Sequence, residues 1–270
     1  MKNNEFGPEL LNEMQIYKLK QHNWSYISKS AKIDLLEDIA NQFCEFYNIN
    51  KNINIYFMLF PPLGGDALAF SKLDEGKIFL NDNYFNHKYK YYGLFKKKKR
   101  YEYTAMDVYH TLMHELRHIY QYWTITSNEA KKDDYYELIN NNIYSDKYRD
   151  NYLPINYQYL YCYQFIERDA INYEFKQIDK YISILQNNND IKEMNALIEE
   201  KKHLINYLNT VYEELKIQLS SNNPIEELDA FMKKIRLTPF TTEDIYPNDT
   251  ETNKALNNIY NNIILKNYPK

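Results

Sequence analysis

Along the chain, apolar positions fall first at helical spacing, then at strand-like spacing, then at helical spacing again. The first fifty residues read as helical. Over 29–47, Ala31, Ile33, Leu35, Leu36, Ile39, Ala40, Phe43 and Phe46 recur at the period of one helix face. Ser28 or Ser30 stands where a hydroxyl would cap that helix. Residues 53–60 then predict a short strand, 61–65 (Pro-Pro-Leu-Gly-Gly) a break, and 67–73 a second strand. Asp74-Glu75-Gly76 is a hairpin turn into a third strand at 77–80. Helical spacing returns over 104–124, where Tyr109, Leu112, Met113, Leu116, Ile119, Tyr120 and Trp123 form one wide apolar face. The polar stretch 127–151 is longer than ordinary connections and reads as a long loop of the kind that is functional or mobile. Pro154 precedes a helix at about 156–185. Over 190–219, Met194, Leu197, Leu204, Leu208, Val211, Leu215 and Leu219 lie near heptad spacing and predict a helix that pairs with another. A short helix at 226–235, a break at Pro239 and a terminal helix at 251–265 complete the pattern. The fold class is α+β: mostly helical, with a small mixed sheet and extra helices at both ends. The expected division is an N-terminal helical segment (1–50), a core (51–186) and a C-terminal helical extension (187–270).

Composition narrows the function classes. Four of the five glycines lie between 64 and 93 and none follows, so the last two thirds hold no phosphate-cradling glycine loop. Cys44 and Cys162 are the only cysteines, which excludes a disulfide framework and a cysteine metal knuckle. The formal charge, 33 − 37 = −4, is too balanced for binding to nucleic acid by charge alone. No run approaches the roughly 18–20 apolar residues of a bilayer helix. The start, MKNNEFGPEL, lacks an apolar h-region, so a cytoplasmic protein is expected, with delivery as a toxin by a non-classical route left open.

The candidate chemistry sits in Tyr109-His110-Thr111-Leu112-Met113-His114-Glu115-Leu116-Arg117-His118-Ile119-Tyr120-Gln121, which contains HExxH. Histidines four apart stand on one helix face, so both imidazoles can reach one metal ion. Glu115, beside the first ligand, is placed to take a proton from a water on that metal, whose pKa zinc lowers from ~15.7 towards roughly 7. The bland alternative is two partly exposed helix histidines that hold no metal.

On these residues, together with Phe79-Leu80-Asn81 and Gln164-Phe165-Ile166-Glu167-Arg168-Asp169-Ala170, the chain resembles the zincin metallopeptidases, and more closely the compact gluzincin-like proteins of bacteria and phages. The likeness covers roughly 52–178. It implies a zincin-like fold, a Zn2+ cofactor, Glu167 as third ligand and peptide-bond hydrolysis. No glycine or third histidine follows His118 at metzincin spacing. Glu167 also falls within the stripe Leu160, Tyr163, Ala170, Ile171, Ile178, Ile182 and Leu185, where an unpaired carboxylate is costly and a metal would compensate. Glu174, two turns further along the same stripe, is the rival ligand. Asp169 is the candidate partner of a ligating histidine.

Among the neighbours, His110 either orients a ligand or contacts substrate, or else hydrogen-bonds at the rim of the core. Arg117 either meets a carboxylate near the cleft or is a solvated helix-face residue, the reading its neighbours favour. The tyrosines at 135, 136, 144, 148, 152, 157, 159, 161 and 163 include candidates for stabilising an oxyanion. The 67–73 strand is either a cleft edge taking an extended substrate or an internal strand. Lys96-Lys97-Lys98-Lys99-Arg100 among aromatics reads as a solvated loop, and specific nucleic-acid binding is not expected. The expected partner is a protein or peptide substrate, cut by a zinc-dependent endopeptidase. The alternative is a helical interaction module docking through 190–219, with structural or absent zinc.

Overall fold

The structure, a computed structural model, describes residues 11–60, 68–82, 89–92, 96–99, 104–128, 136 and 165–221. The architecture is α+β and mostly helical, with a small mixed sheet. Outside the described residues lie the 61–65 break, most of the 127–151 loop, the start of the 156–185 helix, Cys162, every named tyrosine candidate except Tyr136, and the helices expected at 226–235 and 251–265.

The N-terminal part consists of α1 (Glu13–Leu19), α2 (Gln21–Trp24) and α3 (Lys29–Phe46). At the start of α1, Asn12 and Gln15 each accept a hydrogen bond from the other's backbone N–H at 2.9 Å, a reciprocal cap. The cap of α3 is Ser28, whose Oγ accepts from Ala31 N–H at 3.2 Å. Along α3, Leu35, Leu36, Ile39, Ala40 and Phe43 are buried, the face that the 3.6-residue period marks.

Strand β1 (Asn54–Met58), β2 (Ala69–Lys72) and β3 (Lys77–Asn81) form a sheet in the order β1-β3-β2, with β1 parallel and β2 antiparallel to β3. Ile55, Phe57, Ile78 and Leu80 point to the core. On the other face Tyr56, Phe79 and Phe70 stack, with ring centroids 5.2 and 4.7 Å apart. Gly76 turns the β2–β3 hairpin at φ +63°, where a Cβ would lie 2.9 Å from the Asn52 carbonyl oxygen. Strand β2 is an edge of this sheet among the described residues. Lys96–Lys99, expected as loop, instead form strand β5, paired antiparallel with β4 (Tyr89–Tyr92).

Three longer helices follow: α4 (Thr104–Thr126), α5 (Phe165–Asn187) and α6 (Ile191–Ser221). Asn189, in the turn between α5 and α6, takes φ 55°, a left-handed conformation that asparagine tolerates. Among the described residues no helix is long and apolar enough to cross a membrane. The chain divides into two compact units, Met1–Tyr120 with Tyr173–Lys201, and Gln121–Asn172 with Lys202–Lys270. In the first, Tyr109 packs edge-on against Tyr181 at 5.7 Å and Phe43 against Tyr173 at 5.8 Å. Lys20 pairs with Asp190, and Lys201 with Asp179 at 2.6 Å, so α6 is held at its start to the N-terminal helices and further along to α5. Ala196 and Leu197 of α6 are buried.

Candidate metal centre

Helix α4 carries the HExxH segment and is buried around nearly its whole circumference. Besides the expected apolar side chains, Thr111, Glu115, Arg117 and Gln121 are buried, whereas His114 and His118 remain half-buried and so can be reached. The expectation of a solvated Arg117 fails here. Its guanidinium lies over the rings of Tyr120 and Tyr173 at 4.7 and 5.2 Å, the environment a delocalised cation tolerates when withdrawn from water.

The one-turn spacing of His114 and His118 brings their Nε2 atoms to 3.1 Å. Two ligands of a tetrahedral zinc with bonds of about 2.05 Å are separated by about 3.3 Å. Glu167, the third ligand that the resemblance implies, stands on α5 and is buried at 4% exposure.

Glu174, the rival ligand on sequence grounds, reaches a different nitrogen. Its Oε2 lies 3.2 Å from His114 Nδ1 and its Oε1 lies 2.9 Å from His110 Nδ1. A carboxylate on Nδ1 fixes a proton there and leaves the Nε2 lone pair of His114 directed at His118, the orientation found behind metal-binding histidines. Two lone pairs 3.1 Å apart repel unless a proton or a cation lies between them, so this donor set fits a zinc ion. For His114, then, the orienting partner is Glu174. Asp169, expected from sequence to partner a ligating histidine, accepts a hydrogen bond from Gln121 Nε2 at 2.8 Å; the same amide donates to the Ile166 carbonyl at 2.9 Å. Partners on α5 fall in number as those on α4 rise, from 110 and 114 with 174 to 121 with 166 and 169, so the two helices run antiparallel.

The chain matches no protein-family model, no curated protein and no solved structure.

Electrostatics sharpen the division of labour. Burial acts to raise the pKa of Glu174, but His110 and His114 outweigh it and hold the carboxyl at about 2. Burial likewise opposes a charge on His110, yet Glu174 and then Asp107 raise its pKa to about 10. His110 is therefore neither a rim residue nor a group facing substrate, being buried at 4% exposure. Glu200, which sequence reasoning passed over, belongs to the same neighbourhood: one ligand atom from each of Asp107, His110 and Glu200 lies within 4.8 Å of the others. Burial, and then the charge of Asp107, push the Glu200 carboxyl up to about 7. A signal for it existed in the sequence. The α6 heptad from Met194 and Leu197 to Leu204 and Leu208 has Lys201 where an apolar residue is due, and Glu200 and Lys201 are both buried.

Proposed function

We propose that the chain is a zinc-dependent metalloendopeptidase of zincin type with a gluzincin-like ligand set, cutting a protein or peptide substrate. His114, His118 and Glu167 would hold the ion and Glu115 would act as general base. The observation that carries this reading is the convergence of the His114 and His118 Nε2 atoms at 3.1 Å, backed by Glu174 on the far nitrogen of His114. Zinc, when bound, supplies Lewis-acid polarisation of a carbonyl and a water of lowered pKa.

Glu115 follows His114 on a buried helix, so its carboxylate is held by a rigid scaffold. It would take a proton from the attacking water and later hand it to the amide nitrogen of the leaving group. The edge position of β2 supports an extended substrate, because its outer N–H and C=O groups can add a further strand.

The experiment is Glu115→Gln in a peptide-library cleavage assay, with zinc content and circular dichroism measured in parallel. The amide keeps the shape but cannot take the proton, so cleavage should fall at least ~10²-fold while zinc stays bound. Cleavage near the wild-type rate would exclude Glu115 as the base, and the absence of both zinc and zinc uptake in the wild-type chain would remove the enzyme reading.

A further inference from the structure

Behind the HExxH face lies a second group of ligand-type side chains that the peptidase reading does not use. Asp107 and His110 project from α4, one turn apart, and Glu200 from α6. The His110 side chain is only 6% exposed and its Nδ1 is fixed by Glu174 at 2.9 Å. The other nitrogen, Nε2, therefore faces Asp107 and Glu200, and Asp107 Oδ1, at 3.7 Å, is beyond hydrogen-bond range. A buried imidazole nitrogen thus faces the Asp107 carboxylate across a long ion pair, with Glu200 beside it.

The charge balance gives a second, independent indication. Asp107, Glu174 and Glu200 place three carboxylates around one imidazole, and among the described residues none of the three forms an ion pair with a lysine or arginine. Buried charge of one sign is costly unless it is compensated. The imidazolium of His110 is met by Glu174; a divalent ion would meet Asp107 and Glu200, which otherwise hold a proton between them.

We propose that Asp107, His110 and Glu200 form a second divalent-cation site, distinct from the His114 centre and sharing Glu174 with it. One nitrogen and two carboxylates suit ions such as Zn2+ or Mn2+. Ligand atoms around one ion with bonds of about 2.1 Å lie about 3 to 4 Å apart, so atoms within 4.8 Å of one another close onto it by small side-chain rotations. Glu174 plays the same part twice, one oxygen on the Nδ1 of each histidine. The ion would join α4 to α6, which gives it a structural effect whether or not the chain cleaves peptides. The assignment does not depend on zinc at His114, His118 and Glu167.

The test is metal stoichiometry on the full chain, stripped with chelator, reloaded with Zn2+, desalted and analysed for elemental zinc. The expected counts are two per wild-type chain, one for Glu200→Gln, one for His118→Ala and none for the double variant. Asp107→Asn, at a more exposed position, should repeat the Glu200→Gln result if the latter folds poorly by circular dichroism. Zinc should also raise the melting temperature of His118→Ala but not that of His118→Ala with Glu200→Gln. One zinc in the wild type and none in His118→Ala would overturn the second site and leave the peptidase reading standing. One zinc that survives His118→Ala but is lost in Asp107→Asn would uphold the second site and remove the first.

Discussion

Replacing Glu174 with glutamine tests the construction of the centre more directly than removing a ligand does. The carboxylate meets two imidazole Nδ1 atoms, His110 at 2.9 Å through Oε1 and His114 at 3.2 Å through Oε2. Glutamine keeps the volume but offers one carbonyl oxygen and one NH2 group, and the NH2 cannot accept a hydrogen bond from an Nδ1–H. The imidazole left facing it must lose its partner or adopt the tautomer that protonates Nε2, which removes its metal-binding lone pair. The other imidazole keeps an acceptor, but a neutral one, and hydrogen bonds to an ionised acceptor are roughly twice as strong. Loss of the partner behind a metal-binding histidine weakens metal affinity by about 10–100-fold, or about 1.4–2.7 kcal/mol. Because Glu174 is held at about 2, the wild-type side chain is ionised throughout the neutral range. The measurement is competition for zinc against a fluorescent chelator, made in an Asp107→Asn background so that the His114 centre is read alone, with circular dichroism as the folding control. Zinc affinity within about threefold of the parent, in a natively folded variant, would refute Glu174 as the group that orients His114.

Three further outcomes are expected. Glu167→Gln should lose the His114-centre zinc that Glu115→Gln retains, as the proposed ligand set requires; retention at parental affinity would exclude it as ligand. Leu36→Ala, at a fully buried α3 position, should cost about 2–5 kcal/mol in urea unfolding, and a loss under about 1 kcal/mol would mean that this face does not pack as described. In chelator-treated protein, Glu200 is raised from 4.5 to about 7, so between those values the folded chain binds more protons than the unfolded one. Its contribution to stability is full below about pH 4.5 and is lost as pH rises through 7; urea midpoints across that window should fall less steeply in Glu200→Gln, and an unchanged slope would refute this assignment.

Features set by near neighbours in the chain were legible without coordinates. The α3 face and its serine cap follow from local spacing, and the Asp74-Glu75-Gly76 turn from the conformation only glycine takes easily. Both histidines stood out because their type and spacing carry chemistry by themselves, whereas Glu167 was singled out by the resemblance and by the apolar stripe around it. Other features needed the partner helices. Glu174 shares a stripe with Glu167, but which imidazole nitrogen a carboxylate reaches depends on how α5 approaches α4, and the sequence of α5 alone does not encode that. Arg117 looked solvated because its neighbours on α4 are polar; the rings of Tyr120 and Tyr173 cover it instead. Lys96–Lys99 offered no alternation of apolar and polar residues, so a strand made by pairing with Tyr89–Tyr92 left no periodic trace.

The burial of α4 on nearly all sides also bears on how the site moves. Amides at the centre of a helix enclosed by packed side chains exchange with solvent only when the whole unit opens, whereas those of exposed helix ends exchange by local fraying. His114 and His118 sit in the middle of such a helix, flanked by Leu112, Met113, Leu116 and Ile119, none more than 1% exposed. Their amides should therefore be among the slowest to exchange in the chain. A metal held there would leave by dissociation from an intact scaffold rather than through local unfolding, so its residence time would be set by the ligands and not by the breathing of the fold.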